Sequence, residues 1–388
     1  MSELHARLGK AIDGMEARLC AVSKDIFEHP EVKFEETRAS KLLADELAKD
    51  GFEVELGAAG LETAIFAVHP AKSDGPTVAI LGEYDALPEI GHACGHNLIA
   101  AAGLGAALAL GSIKTKLPGR LLFMGTPAEE GGGGKVLMID AGLFEGVDAA
   151  MMFHPSNNTI VDRGSLAITE VKIEFAGKPA HASGCPEKGI NALDAVIQTF
   201  NGINALRQHI KDGARIHGVI RHGGVKPNIV PEYASAEFYV RALESNYRDE
   251  LLVNVRHCAE GAGLATGAKL TWSEVGHAYM AMKPNRALGD VFTKHLASLG
   301  EPLRLPKDNA LGSTDMGDVS QVVPSIHAYI KIAEEDVAGH SREFTEASGS
   351  ERGREVMLIA AKAMAMTALD VLTEPGLSER LWEEFRAT

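Results

Sequence analysis

The chain has 388 residues, 45% hydrophobic and 23% charged, the composition of a folded protein with a full core. Disorder and a disulfide-stapled miniprotein are excluded, and the length predicts two or three domains. Lys and Arg number 38 against 53 Asp and Glu, a formal charge of −15, which disfavours nucleic acid and anionic membranes as partners and suits cations.

From Met1 to Phe27 charges run throughout an amphipathic pattern, which predicts a helix and no secretory leader. Apolar positions recur at helical spacing from Ala39 to Lys49, and Gly51 stops that helix. Phe52–Leu56 and Ala64–Val68 read as strands. Three continuous apolar runs follow: Thr77–Leu81, Leu121–Met124 and Ala149–Phe153. Each is followed by polar chemistry, which indicates an α/β sheet buried on both faces with its ligands at the strand carboxyl ends. No stretch has the apolar length of a membrane span; the best, Leu98–Ile113, reads as a buried helix.

After about Ser165 the pattern changes. Val171, Ile173 and Phe175 alternate with Lys172 and Glu174, and an apolar helical stripe runs from Ile190 to Leu206. Strands near Ile216–Arg221 and Tyr233–Arg241, a helix near Tyr247–Glu260 and a strand near Leu270–Val275 complete a β-α-β-β-α-β order. That is a ferredoxin-like α+β unit inserted into the larger fold. The α/β style resumes near Met280, with a strand at Ser325–Ile332 and a long closing helix at Ser348–Leu372. The expected division is 1–166, an insert at 167–278, and 279–388. Cys20, Cys94, Cys185 and Cys258 show no paired spacing, which predicts reduced thiols and a cytoplasmic location.

The chemistry starts at Gly91–Asn97, G-H-A-C-G-H-N. Cys94 and His96 lie two apart in a turn, where thiolate and imidazole can converge on one ion. Glu129 and Glu130 follow an apolar strand; adjacent side chains diverge, so one can hold a metal while the other serves as a base. His154 ends the next apolar run, and His340 lies in the glycine-flanked A-G-H-S-R-E-F. Taken singly, each has a plain alternative: a buried thiol and a capping histidine, a solvated acidic loop, a structural histidine, a surface histidine. Together Cys94, His96, Glu130, His154 and His340 are too many donors for one tetrahedral zinc and suit two metals with a shared ligand. Asp85, in G-E-Y-D-A-L-P, is a candidate carboxylate to hold one of the histidines.

These segments, with G-T-P-A-E-E-G-G-G, F-H-P and P-A-H-A-S in this order, resemble the dinuclear-metal peptidases and amidohydrolases of peptidase family M20. The likeness spans essentially the whole chain and is greatest for the cysteine-ligand subgroup, that of the Xaa-Arg dipeptidases and aminobenzoyl-glutamate hydrolases. It implies a mixed-sheet metallopeptidase catalytic domain with an inserted ferredoxin-like lid and dimerisation domain. It implies two divalent ions per subunit, zinc or manganese with cobalt as a third option, and Cys94 as bridging ligand. Glu129 becomes the general base. His181 reaches the scissile carbonyl from the insert, in cis or from a partner subunit, while Asn228 and Arg241 bind substrate. Asn97 departs from the aspartate that many cysteine-type members carry there.

Ser313 and Thr314 sit in a polar loop suited to lining the pocket, and Asp315 beside them also suits a helix cap. The expected activity is metal-dependent hydrolysis of the amide bond of a dipeptide or an N-acyl amino acid, in a homodimer, with no nucleic acid or membrane partner. Aminobenzoyl-glutamate-type cleavage is the alternative. From other classes, a Cys94-nucleophile hydrolase leaves the Glu pair, His154 and His340 unexplained. A non-catalytic binding protein would show a degraded site, and every expected donor type is present.

Overall fold

In the computed structural model, residues 2–70, 73–113, 117–305 and 311–388 are described. In chain order the elements are α1 Glu3–Gly14, α2 Glu16–Glu28, α3 Thr37–Lys49, β1 Glu53–Leu56, β2 Ile65–Val68, β3 Thr77–Glu83, α4 His96–Gly111, β4 Arg120–Thr126, α5 Gly134–Asp140 and β5 Ala149–Ser156. Then come β6 Ala167–Ala176, α6 Ala192–Leu206, β7 Arg215–His222, β8 Tyr233–Ala242, α7 Ser245–Thr266 and β9 Lys269–Tyr279. The last are α8 Arg286–Ser298, α9 Met316–Val322, β10 Ser325–Lys331, α10 Arg342–Ser348, α11 Glu351–Thr373 and α12 Leu377–Ala387.

Two bodies result: residues 1–164 with 282–311 and 315–388, and residues 165–281 with 312–314. The first holds a six-stranded sheet in the order β1-β2-β4-β3-β5-β10. Its centre, β4-β3-β5-β10, is parallel, while β1-β2 and β2-β4 are antiparallel. Every residue of β3 is buried, as its unbroken apolar run requires in a sheet covered on both faces. The Ala/Leu/Gly helix α4 is buried except at Gly111 and packs against β3, α2 and α11. Its small residues permit this: a Cβ at Gly103 would lie 2.8 Å from the Leu81 carbonyl oxygen. Because the central strands run parallel, their carboxyl ends share one edge, and Glu83, the turn after Thr126, and His154 all lie there.

The second body is an antiparallel sheet in the order β7-β8-β6-β9, with α6 and α7 packed on it. That is the ferredoxin-like order. Val171, Ile173, Phe175, Ala234, Ala236, Phe238 and Val240 are buried at alternating positions and make its core with the helix faces.

Two expectations change, one on the N-terminal helix and one on membrane-length segments. The N-terminal helix breaks at Met15, whose N–H bonds back to Ala11 and Ile12 to close α1 before α2 begins; Met1 lies outside the described residues. The closing helix forms as α11, close to its expected bounds, with the short helices α10 and α12 on either side of it. Ser350 Oγ accepts the Gly353 N–H and starts α11 afresh. α11 itself is long and apolar enough to cross a membrane by length and composition, which corrects the expectation that no segment is; it is mostly buried in the protein core.

Asp370 of α11 ties three helices together. It accepts from His5 Nε2 of α1 at 2.7 Å and from His295 Nε2 of α8 at 2.6 Å. Burial disfavours its charge, but the two imidazoles outweigh that and hold its pKa below the ordinary carboxylate value. A depressed carboxylate stabilises the fold above its unfolded pKa, about 3.9, and that contribution fades as pH falls through the folded value. Asp370→Asn is therefore expected to lose about 1–3 kcal/mol in urea unfolding at pH 7, with the gap to wild type closing below about pH 4. A gap that stays constant into acid would contradict this.

Candidate metal centre

Cys94 lies in the turn before α4, and His96 is the first residue of that helix. Gly95 between them has φ 73°, and a Cβ there would meet Pro155 at 2.7 Å, so the turn closes only around glycine. His96 Nδ1 donates to the Asp85 main-chain oxygen at 2.8 Å and its carboxylate at 3.0 Å. This fixes the ring and turns Nε2 inward, where it makes no hydrogen bond although fully buried. His154, on β5, donates from Nδ1 to the Pro155 oxygen at 2.6 Å, which likewise leaves Nε2 for a ligand.

Glu129 and Glu130 sit in a tight turn after β4. Ala128 is in the left-handed region at φ 59°, and its N–H donates to buried Glu36 at 2.8 Å. The Glu130 N–H donates to Asp85 Oδ2 at 3.0 Å. Asp85 therefore aims His96 with one oxygen and pins the Glu pair with the other. A Cβ at Gly134 would lie 1.9 Å from the Pro127 oxygen, so the glycine run lets the chain fold back on itself. His340 is also left-handed, at φ 60°, and its N–H donates to the Ala93 oxygen at 3.1 Å, which places it against the Cys94 turn. Ala128 and His340 thus both hold left-handed backbone that non-glycine residues rarely adopt.

The five sequence-selected donors form two groups. One donor atom each from Cys94, His96 and His154 lies within 4.8 Å of the others, and so do those from Cys94, Glu130 and His340. Cys94 is common to both. His96, Glu129 and Glu130 form a further group within the same distance. The residues fit a pair of divalent cations: Nε2 of His96 and Oε1 of Glu130 are buried without hydrogen-bond partners, and thiolate, imidazole and carboxylate suit zinc or its neighbours.

The electrostatics point the same way. Burial pushes the Cys94 thiol well up, which opposes a free thiolate nucleophile in the absence of a cation. Burial also disfavours charge on His96, but Asp85 and Glu83 prevail and push its pKa well up. Burial, then the neighbouring Glu130 and Glu83, push Glu129 well up. This is a site whose negative charges call for positive ones.

Sequence reading missed Glu83, Lys135 and His327. Glu83 ends β3, and its Oε2 lies 3.4 Å from His96 Nε2. Lys135 is fully buried between Glu83 and Asp315. His327 is buried beside His154, with ring centroids 5.3 Å apart. A charged residue ending an apolar strand was the available signal for Glu83. Asp315 does occupy the N-cap position of α9, but its carboxylate accepts from Lys135 and makes no cap bond. Asn97 turns away from the donors: its Nδ2 donates to Ser23 Oγ at 3.0 Å and the Ser348 oxygen at 3.2 Å, bonds that a carboxylate could not donate.

The expected substrate residues lie in the second body. His181 and Asn228 occupy adjacent loops, joined by the Ala182 N–H donating to the Asn228 oxygen at 3.1 Å. His181 is exposed, and its Nδ1 accepts from the Gly184 N–H at 3.2 Å, which leaves the proton on Nε2. Arg241 Nη1 donates to Ser313 Oγ at 3.3 Å, and Thr314 is buried next to it in sequence. The Nε of Arg241 is buried without a hydrogen bond.

Comparison with known proteins agrees with this chemistry. The family model for peptidase family M20/M25/M40 matches residues 79–363, and the chain belongs to that family. It is 41% identical to the Xaa-Arg dipeptidase of Mus musculus over 404 residues, covering 99% of this chain and 92% of that protein. It is 29% identical to one of the subunits of the Escherichia coli p-aminobenzoyl-glutamate hydrolase over 460 residues, covering 99% and 95%. A Bacillus subtilis dinuclear metal-binding peptidase of the M20 family shares the fold, with a TM-score of 0.71 at 22% identity over 93% of this chain and 99% of that one. The protein is thus a metal-dependent hydrolase acting on C–N bonds.

If Cys94 serves two ions, Cys94→Ala should lose tight binding of both, while His340→Ala should lose one. Elemental analysis of gel-filtered protein reads this, and a Cys94→Ala variant that keeps the wild-type ion count would contradict it. Ion uptake must also displace protons from Cys94 and His96, so affinity should rise with pH.

Proposed function

We propose that the protein hydrolyses the amide bond of a dipeptide, using two divalent ions and Glu129 as general base. The observation that carries this reading is the pair of three-donor groups sharing Cys94, with Glu129 beside Glu130. When bound, the ions supply an acidified water and a Lewis acid for the carbonyl. The protein's part is positional and protonic. Cys94, His96 and His154 would hold one ion and Cys94, Glu130 and His340 the other, with Asp85 fixing His96 and the Glu130 turn. Glu129 takes the proton of the attacking water and delivers it to the leaving amine. His181, with its proton on Nε2, is suited to donate to the oxygen of the tetrahedral intermediate.

Arg241 supports a substrate with a free carboxylate. A guanidinium with a buried, unpaired Nε gains most from a bidentate carboxylate. The name of the mouse relative favours a dipeptide ending in arginine. A second reading, cleavage of an aminobenzoyl-glutamate, rests on the Escherichia coli relative and uses the same carboxylate grip. The same proposal includes a homodimer through the second body, where Val219, Ile220 and Val225 are exposed. A cytoplasmic location fits its free cysteines.

The test is a hydrolysis screen of dipeptides, N-acyl amino acids and p-aminobenzoyl-glutamate with zinc, manganese and cobalt in turn. Turnover of dipeptides, abolished by chelation, is expected. Glu129→Gln should lower kcat about a hundredfold to ten-thousandfold with ion content unchanged. Turnover that survives chelation and stops on thiol alkylation would replace this reading with a cysteine hydrolase.

A further inference from the structure

Lys135 is the second residue of α5 and has no exposed surface. Its Nζ donates to Glu83 Oε1 and, at 2.7 Å, to Asp315 Oδ1. Its main-chain N–H donates to Asp315 Oδ2 at 3.0 Å. Glu83 ends β3 and Asp315 opens α9, so one ammonium joins three elements that are far apart in the chain. Replacing such a buried ion group with apolar side chains is often neutral for stability, so stability alone is a weak account of it.

Its place is more informative. Lys135 directly follows the turn that carries Glu129 and Glu130, and the two ends of that turn are fastened to carboxylates, Glu130 N–H to Asp85 and Lys135 N–H to Asp315. One oxygen each from Glu83, Glu129 and Asp315 lies within 4.8 Å of the others, the spacing of a cation site. The second oxygen of Glu83 is buried without a hydrogen bond, 3.4 Å from His96 Nε2. Here, three carboxylates that would themselves collect a metal ion abut the donors of the proposed centre, with the protein's own cation bound to two of them.

We propose that Lys135 is a positioning residue of the metal centre: its ammonium takes the cation place among Glu83, Asp315 and Glu129, which confines the divalent ions to the donor groups sharing Cys94 and holds the Glu129–Glu130 turn. This rests on the two-ion hydrolase reading above. Lys135 touches neither substrate nor ion; it acts through Glu83 and Asp315. Without it, the freed carboxylates form an oxygen-donor set that draws in an additional ion, and Glu129 turns from the attacking water to that ion.

The test compares wild type, Lys135→Met and Lys135→Arg after dialysis against manganese, which prefers oxygen donors. Lys135→Met should bind one ion more than wild type, with kcat lower by roughly tenfold or more and KM within about threefold. Lys135→Arg keeps the charge and should return the wild-type ion count and part of kcat. A purely structural lysine predicts otherwise: Lys135→Met melts earlier but keeps the wild-type ion count, and each folded molecule turns over at the wild-type rate. That result overturns the proposal. Should Lys135→Met not fold, Lys135→Gln decides: it keeps a hydrogen-bond donor between Glu83 and Asp315 but no charge, so it should also gain an ion and lose kcat; the wild-type ion count and kcat in it would overturn the proposal. The ion count is read as a difference from wild type. A wild type that hydrolyses none of the amides sinks the functional reading, and the ion difference still decides on Lys135.

Discussion

Crowding of negative charge at the carboxyl edge of a parallel sheet governs the architecture of this protein. Glu83, Asp85 and Asp315 are buried there, with Glu129 and Glu130 beside them. Carboxylates cannot share a low-dielectric space without compensating charge or hydrogen bonds. Lys135 compensates two, and Asp85 is satisfied by His96 and the Glu130 N–H. What remains is a cation requirement, met in the proposed reading by two ions gathered around Cys94.

The fold serves that requirement through topology. The parallel centre of the sheet brings the ends of β3, β4 and β5 to one edge, though 83, 129 and 154 are far apart in sequence. The loops that follow are built from strained or glycine-dependent backbone, at Gly95, Ala128, Gly134 and His340. Each turns a side chain toward the donors at the cost of local conformational freedom. A buried helix with little polar surface, α4, backs the whole edge and gives the turns a firm base.

Much of this was legible in the chain because the signals are local. Apolar runs such as Thr77–Leu81 announce buried strands, and polar motifs at their ends announce the site. Alternation in Val171–Phe175 and Ala234–Val240 announced the half-exposed sheet of the second body. The break at Met15 was harder, since the helical periodicity carries across it. α8 lay between regions of clearer pattern, although Asn285 caps it by accepting the Leu288 N–H. The Glu83–Lys135–Asp315 group was illegible for a deeper reason. Its members are 52 and 180 residues apart, and nothing local to any one of them tells a buried ion pair from a solvated charge.

The central claim is that Cys94 sits between two cations. Anomalous diffraction from crystals grown with zinc or manganese tests it most directly. The account predicts two peaks about 3.5–4 Å apart, both within bonding distance of the Cys94 sulfur, one flanked by His96 and His154 and the other by Glu130 and His340. A single peak, or peaks remote from Cys94, would contradict it.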